Sequence, residues 1–176
     1  KGEIIMPRVL YTTAKGLYQD SGEYCELPIK KKVIALTNAA TTARTLKVGE
    51  SGSIVTLDAS TDAAQTITVT LPTANDAARG VYYDFCFIAD AGNAAADVII
   101  TTGANGTDIF GYMVRGAANS TVLDFDGISK ITADASVGTD WNGARLTLLC
   151  DGTHWHLSGY SKVAIGTLDF VESASA

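Results

Sequence analysis

The two histidines, His154 and His156, are the residues whose type and spacing could do chemistry. They lie at i and i+2 around Trp155, so on a strand both imidazole rings project from the face opposite the indole. Same-face histidines can supply half of a zinc site, with Cys150 or Asp151 across a hairpin as a further ligand. The spacing matches no closed set of zinc ligands, and the chain has no CxxC motif. We interpret the pair as solvent-facing or interface side chains, with a metal site between subunits as the alternative.

The aspartates could supply a calcium site or the carboxylate pair of a glycosidase. Only Asp124 and Asp126 come close to a calcium loop, and the remaining oxygen ligands and the terminal glutamate are missing there. A glycosidase cleft usually has aromatic walls, whereas aromatic residues make up 8% of this chain and are spread along it. No set of acid, base and nucleophile can be assembled from these groups. We therefore expect a protein that is not an enzyme and uses no cofactor.

The charge of the chain argues against nucleic-acid binding. Its net charge is −6, whereas neutralising phosphates requires clustered lysine and arginine. The basic cluster is Lys30, Lys31 and Lys32, which we interpret as a solvated strand edge that discourages edge-to-edge pairing. A docking patch for an acidic protein and a nucleic-acid contact are the alternatives. No apolar run reaches the length of about eighteen residues that predicts a membrane span.

Three cysteines, Cys25, Cys86 and Cys150, are an odd number at wide spacing, which is not the framework of a disulfide-rich domain. We predict free thiols, with Cys86 and Cys150 packed as small hydrophobic residues inside apolar runs. These thiols indicate synthesis in a reducing, intracellular compartment.

Alternating apolar and polar runs extend along most of the chain and predict strands. In residues 51–72 two such runs, SIVTL and TITVTL, are joined by small and polar residues, which predicts a β-hairpin. A second hairpin is predicted over residues 144–159, where Asp151 and Gly152 supply the tight turn. For residues 32–176 we predict a mainly β fold, either a single antiparallel β-sandwich of jelly-roll type or a barrel, of about ten to twelve short strands.

Residues 1–31 differ from the rest, because they hold three of the seven tyrosines and a dense set of charges. We predict an N-terminal arm with short strands at residues 8–12 and 23–27. In the β domain, the alternating run 81–87 predicts a core strand, with a carbohydrate-stacking face as the alternative. Trp141 and Trp155 are expected to be anchors, either in the core or at a subunit contact.

Four stretches of the chain, in their order, resemble virion structural proteins of tailed bacteriophages: GESGSIVTLDAS, TITVTLPTANDAARGVYYDFCFIAD, DVIITT and RLTLLCDGTHWHLSG. The resemblance covers residues 46–160 and is to capsid decoration (cement) and head-fibre proteins in particular. It implies a non-enzymatic protein that is made in the host cytoplasm and sits on the capsid exterior of the virion. It also implies a homotrimer that bridges subunits of the major capsid protein.

On this resemblance we expect the arm to contact the coat protein. The residues expected there are Arg8, Tyr11, Tyr18, Tyr24, Lys30, Lys31 and Lys32. The threonines of the run TITVTL then form a packing surface. The alternative is a head-fibre or tail-fibre module that binds host-surface carbohydrate through exposed Trp141 and Trp155 and nearby aspartates.

Overall fold

The computed structural model describes residues 8–12, 16–21, 31–61, 64–92, 95–103, 109–116, 121–135, 141–162 and 170–173. The chain divides into two compact units, residues 1–30 and residues 31–176. In the first unit, strands β1 (Arg8–Thr12) and β2 (Gly16–Ser21) pair antiparallel. The predicted strand at residues 8–12 is therefore confirmed, and the one predicted at residues 23–27 lies outside the described residues.

The second unit is built from short strands, as its alternating sequence predicts. They are β3 (Val33–Thr37), β4 (Thr42–Thr45), β5 (Ile54–Asp58), β6 (Ile67–Thr70), β7 (Tyr82–Phe87), β8 (Val98–Thr101), β9 (Ile109–Gly116), β10 (Thr121–Ile128), β11 (Lys130–Ala133), β12 (Arg145–Cys150), β13 (Trp155–Lys162) and β14 (Phe170–Ser173). Two short 3-10 helices, Val48–Glu50 and Asp76–Ala78, are the helical segments among the described residues.

These strands form two mixed sheets, ordered β10-β9-β13-β12-β7-β5-β3 and β14-β11-β8-β6-β4. From β3 to β8 the chain alternates between the sheets, so that β3, β5 and β7 are parallel neighbours in one and β4, β6 and β8 in the other. The mainly β prediction is confirmed. The expected purely antiparallel pairing is wrong, and neither sheet closes into a barrel among the described strands.

The hairpin predicted for residues 51–72 is also wrong, because β5 and β6 belong to different sheets. Val55 and Leu57 of β5 and Ile67 and Val69 of β6 are all buried, and they join one core cluster from the two sheets. An alternating pattern predicts only that one face of each strand is buried. Two strands on opposite sides of one core show that pattern just as two strands of a hairpin do. The chain therefore passes from one sheet to the other between β5 and β6.

The hairpin predicted for residues 144–159 is confirmed, since β12 and β13 pair antiparallel. Asp151 closes the turn by accepting hydrogen bonds at Oδ1 from the backbone N–H groups of Thr153 and His154, both at 2.7 Å. Gly152 adopts a φ of +98°, which explains the need for glycine after the aspartate.

The buried carboxylate of Glu50 connects strand β4 of one sheet with the residue that precedes β3 of the other. Glu50 is 9% exposed, and its Oε1 accepts hydrogen bonds from Lys32 Nζ at 2.7 Å and Arg44 Nη2 at 2.6 Å. Its Oε2 accepts a third from the backbone N–H of Lys47 at 3.0 Å. The hydrogen bond from Lys32, with help from Lys47 and Arg44, outweighs burial and holds the pKa of Glu50 below its ordinary value of 4.5.

This carboxylate predicts a pH-dependent stability. A pKa that is lower in the folded state than in the unfolded state stabilises above the unfolded value, and the stabilisation is lost as the pH falls through the folded value. Glu50→Gln is expected to lower the free energy of unfolding at pH 7 by about 1 kcal/mol, since both cations are partly exposed. It should also make the decline below about pH 5 less steep in urea titrations at several pH values.

The matched control is Asp76→Asn, which breaks the exposed ion pair between Asp76 and Arg79 (2.8 Å, with the Asp76 side chain 91% exposed). Because this pair is exposed, its loss should lower the free energy of unfolding at pH 7 much less than Glu50→Gln does. An acid slope that is the same in Glu50→Gln as in the parent protein would contradict the role given to Glu50.

Candidate functional site

The histidines make local contacts beside the β12–β13 turn. His156 Nε2 lies 2.8 Å from Asp151 Oδ2, and the His154 ring meets the Phe110 ring edge-on with centroids 5.0 Å apart. The hydrogen bond from His156, followed by those from the turn backbone, holds the pKa of Asp151 well below its usual range. Cys150 is buried and does not join this group. Within the described residues, no cluster of three His, Cys, Asp or Glu side chains could hold a metal ion.

The thiols that the structure describes, those of Cys86 and Cys150, are free and buried. Burial raises the pKa of the Cys150 thiol, so its nucleophilic thiolate form is disfavoured. Cys25 lies outside the described residues. Cys150 packs in the core as a small hydrophobic side chain, whereas Cys86 lies on the opposite face of β7.

Both tryptophans are fully buried. Trp155 donates a hydrogen bond from Nε1 to the carbonyl oxygen of Pro72 at 3.2 Å and stacks on Tyr83, with centroids 5.9 Å apart. Trp141 meets Phe87 edge-on at 6.0 Å. The expectation that exposed Trp141 and Trp155 bind carbohydrate is therefore wrong, because neither ring presents a face to solvent. They pack the core.

The strand 81–87 is also a core strand. Its alternate residues Val81, Tyr83, Phe85 and Phe87 are at most 5% exposed, so the carbohydrate-stacking alternative for that face is excluded. The side chains on the opposite face of β7 line a depression described below.

The residues expected to contact a coat protein are divided between the two units. Lys31 and Lys32 precede the edge strand β3 and pair with carboxylates of their own unit, Lys31 with Asp84 at 2.6 Å and Lys32 with Glu50 at 2.7 Å. The Lys31 Nζ also lies 5.6 Å from the centroid of the Tyr82 ring. Three others occupy the β1–β2 hairpin, namely Arg8, Tyr11 and Tyr18. Tyr24 and Lys30 lie outside the described residues.

The outer face of the seven-stranded sheet contains a depression of about 500 Å³ across β9, β13, β12 and β7. Two half-exposed rings belong to its wall, Tyr112 at 54% and Tyr160 at 53% exposure. The remaining lining residues are Asp84, Phe85, Cys86, Val114, Arg145, Leu146, Thr147, Ser158 and Gly159. The sequence analysis missed this set, because its members come from four strands that are far apart in the chain.

Charged and polar groups lie within the depression. The Asp84 carboxylate accepts hydrogen bonds from Thr147 Oγ1 at 2.9 Å and from Lys31 Nζ at 2.6 Å. Burial raises the pKa of Asp84, but these hydrogen bonds and the nearby Arg145 outweigh it and leave the pKa below its ordinary value. Asp84 is therefore ionised at neutral pH.

The outer face of the five-stranded sheet is rich in threonine and poor in charge. The register aligns its outward residues in two rows across β4, β6, β8 and β11. One row is Ala43, Thr68, Ile99 and Thr132, and the other is Thr45, Thr70, Thr101 and Lys130. Lys130 is the single ionisable residue in these rows. We call this surface the threonine face.

Comparisons with known proteins add no relative. No protein-family model matches the chain, and no curated protein matches it either. Among the helices of the described residues, none has the length and apolar character needed to cross a membrane.

Proposed function

We propose that this chain is a non-enzymatic virion structural protein of a tailed bacteriophage. It acts as a decoration (cement) protein that binds the outer capsid surface and bridges coat subunits as a homotrimer. The resemblance of four ordered sequence stretches to such proteins supports this proposal. The structural observation that carries it is the threonine face.

The threonine face suits permanent contact with another protein surface. The cores of protein interfaces are depleted in charged residues, and this face holds one lysine among eight aligned positions. Short, β-branched threonines lose little side-chain freedom on burial, so ordering them at an interface is less unfavourable than ordering long side chains. Their hydroxyl groups can also donate to and accept from backbone groups of a partner.

The arm supplies a second contact in this proposal. An extended segment can add a strand to the edge of a neighbouring sheet, and the arm contains the β1–β2 hairpin. Because Lys31 and Lys32 already pair with Asp84 and Glu50, the part of the arm that meets the coat is assigned to residues 1–30.

Co-sedimentation with capsids tests the proposal. The purified chain is mixed with capsids of the parent phage that lack it, and binding is measured after centrifugation. We expect saturable binding of the parent protein and at least about tenfold weaker binding of the double variant Thr68→Arg, Thr70→Arg. The reason is that two guanidinium groups would lose their hydration in an interface that offers them no partner.

The matched control is Ala35→Arg, which adds charge at an exposed position on β3 of the other sheet and should bind like the parent. If the parent protein does not sediment with capsids, the proposed function is wrong. Equal binding by the double variant would contradict the role given to the threonine face. Unchanged binding after deletion of residues 1–30 would contradict the role given to the arm.

A further inference from the structure

The depression on the seven-stranded sheet is lined by tyrosine rings together with polar and charged side chains. Strand register brings its residues into two adjacent rows: Tyr112, Ser158, Thr147 and Asp84 form one, and Val114, Tyr160, Arg145 and Cys86 form the other. Each row combines a tyrosine with side chains that donate or accept hydrogen bonds. Neighbouring strands lie about 4.8 Å apart, so these groups surround a common space.

We propose that this depression binds a neutral saccharide of one or two pyranose rings. Its volume of about 500 Å³ is within the usual size range of small-ligand sites. The half-exposed rings of Tyr112 and Tyr160 offer apolar surface on which the C–H face of a sugar can pack. No assigned role of the chain uses this surface, and the inference does not rest on the decoration function.

The polar groups of the depression match sugar hydroxyls. Arg145 makes no hydrogen bond or ion pair with the described side chains, so its planar set of N–H donors is available to two neighbouring hydroxyl oxygens. Ser158 and Thr147 stand in the same row between Asp84 and Tyr112. The Ser158 hydroxyl can donate or accept, whereas Thr147 Oγ1, which donates to Asp84, can accept.

Two other ligand classes fit this lining less well. A phosphate group could pair with Arg145, but it has no apolar face to pack on the rings of Tyr112 and Tyr160. An apolar anchor from a protein partner would bury Asp84, Arg145, Thr147 and Ser158 against groups that cannot hydrogen-bond with them, and unpaired buried polar groups are unfavourable. A sugar can pack its C–H face on the rings and hydrogen-bond with the polar groups at the same time.

The rival occupant is a protein surface, because most of the exposed large apolar side chains lie on or beside this sheet face. Besides the two tyrosines, they are Val33, Tyr82, Ile88, Val114, Val122 and Leu149. A protein contact would use these side chains as a broad patch, whereas the only stacking rings of a sugar site in the depression are those of Tyr112 and Tyr160. The two therefore respond differently to single substitutions.

A titration of the full chain, followed by ¹H–¹⁵N correlation spectra, tests the sugar site. The probes are neutral mono- and disaccharides of glucose, galactose, mannose and N-acetylglucosamine. At least one should shift the amide signals of residues 112, 145 and 158–160 saturably, with a Kd of about 1 mM or lower. Tyr160→Ala and Tyr112→Ala should each weaken binding at least about tenfold, because each removes one stacking ring.

Tyr82→Ala is the matched control, since Tyr82 is an exposed tyrosine on the same sheet face and outside the lining. It should bind the sugar like the parent, and the dispersion of each spectrum reports whether the variant is folded. The proposal is overturned if no saccharide shifts these signals, or if both tyrosine variants bind like the parent. Loss of capsid binding in Tyr160→Ala and Tyr82→Ala alike, without any sugar response, assigns the face to a protein partner.

Discussion

Gly111→Ala is expected to destabilise the second unit by about 3–5 kcal/mol. Gly111 lies in β9 between β10 and β13, opposite Phe125 on one side and Leu157 on the other. Its φ of +136° belongs to the region that L side chains rarely adopt. A Cβ there would overlap the carbonyl oxygen of Leu157 and lie 2.8 Å from the Leu157 backbone nitrogen. Both obstacles are backbone atoms of a paired strand, so a rotamer change cannot relieve the overlap.

Urea unfolding curves of three variants separate the overlap from the backbone strain. Gly143→Ala has a positive φ of +89° with nothing within 4 Å of the new Cβ, so we expect a loss of about 1 kcal/mol from strain alone. Gly49→Ala has neither feature and should change stability by less than about 0.5 kcal/mol. If Gly111→Ala were no less stable than Gly143→Ala, the close approach of β9 to β13 would be wrong.

Local sequence signals predicted the parts of the fold that depend on neighbouring residues. The alternating run 81–87 correctly predicted a buried face, because period two follows from strand geometry whatever the partner strand is. The β12–β13 hairpin was predictable because the Asp151 side chain and the positive φ of Gly152 build the turn within four residues.

Strand partners could not be predicted in the same way. Val55 and Ile67 face one core from two sheets, and an antiparallel hairpin would bury them in the same alternating pattern. The parallel pairs from β3 to β8 depend on crossovers whose turn residues, such as Gly52, Asn75 and Gly80, do not indicate which sheet the next strand joins. A one-sided burial pattern is therefore compatible with several topologies, and only the packing of the whole core decides among them.

The depression could not be predicted from the sequence for a related reason. Tyr112 and Tyr160 are 48 positions apart, and the parallel pairing of β9 with β13 brings them to one face. Conversely, Trp141 and Trp155 were natural candidates for exposed contacts because they flank turns. They are buried against Phe87 and Tyr83, which lie more than fifty positions away, so local sequence does not report their burial.

Trp155→Ala is expected to destabilise the second unit by about 4 kcal/mol. The indole is fully buried against Tyr83 in the middle of the core, so its removal leaves a large cavity as well as losing apolar contacts. Trp155→Phe keeps much of the volume but removes the hydrogen bond from Nε1 to the Pro72 carbonyl, which predicts a loss of about 2 kcal/mol.

Trp141→Phe provides the matched comparison, measured by urea unfolding at 25 °C. Trp141 is equally buried, but its Nε1 has no hydrogen-bond partner among the described residues. Phenylalanine removes this unsatisfied donor, which offsets part of the lost packing, so the loss should be smaller than in Trp155→Phe by about 1 kcal/mol. If Trp141→Phe lost more stability than Trp155→Phe, the Trp155 hydrogen bond would contribute little, and the cavity left at each site would decide the loss.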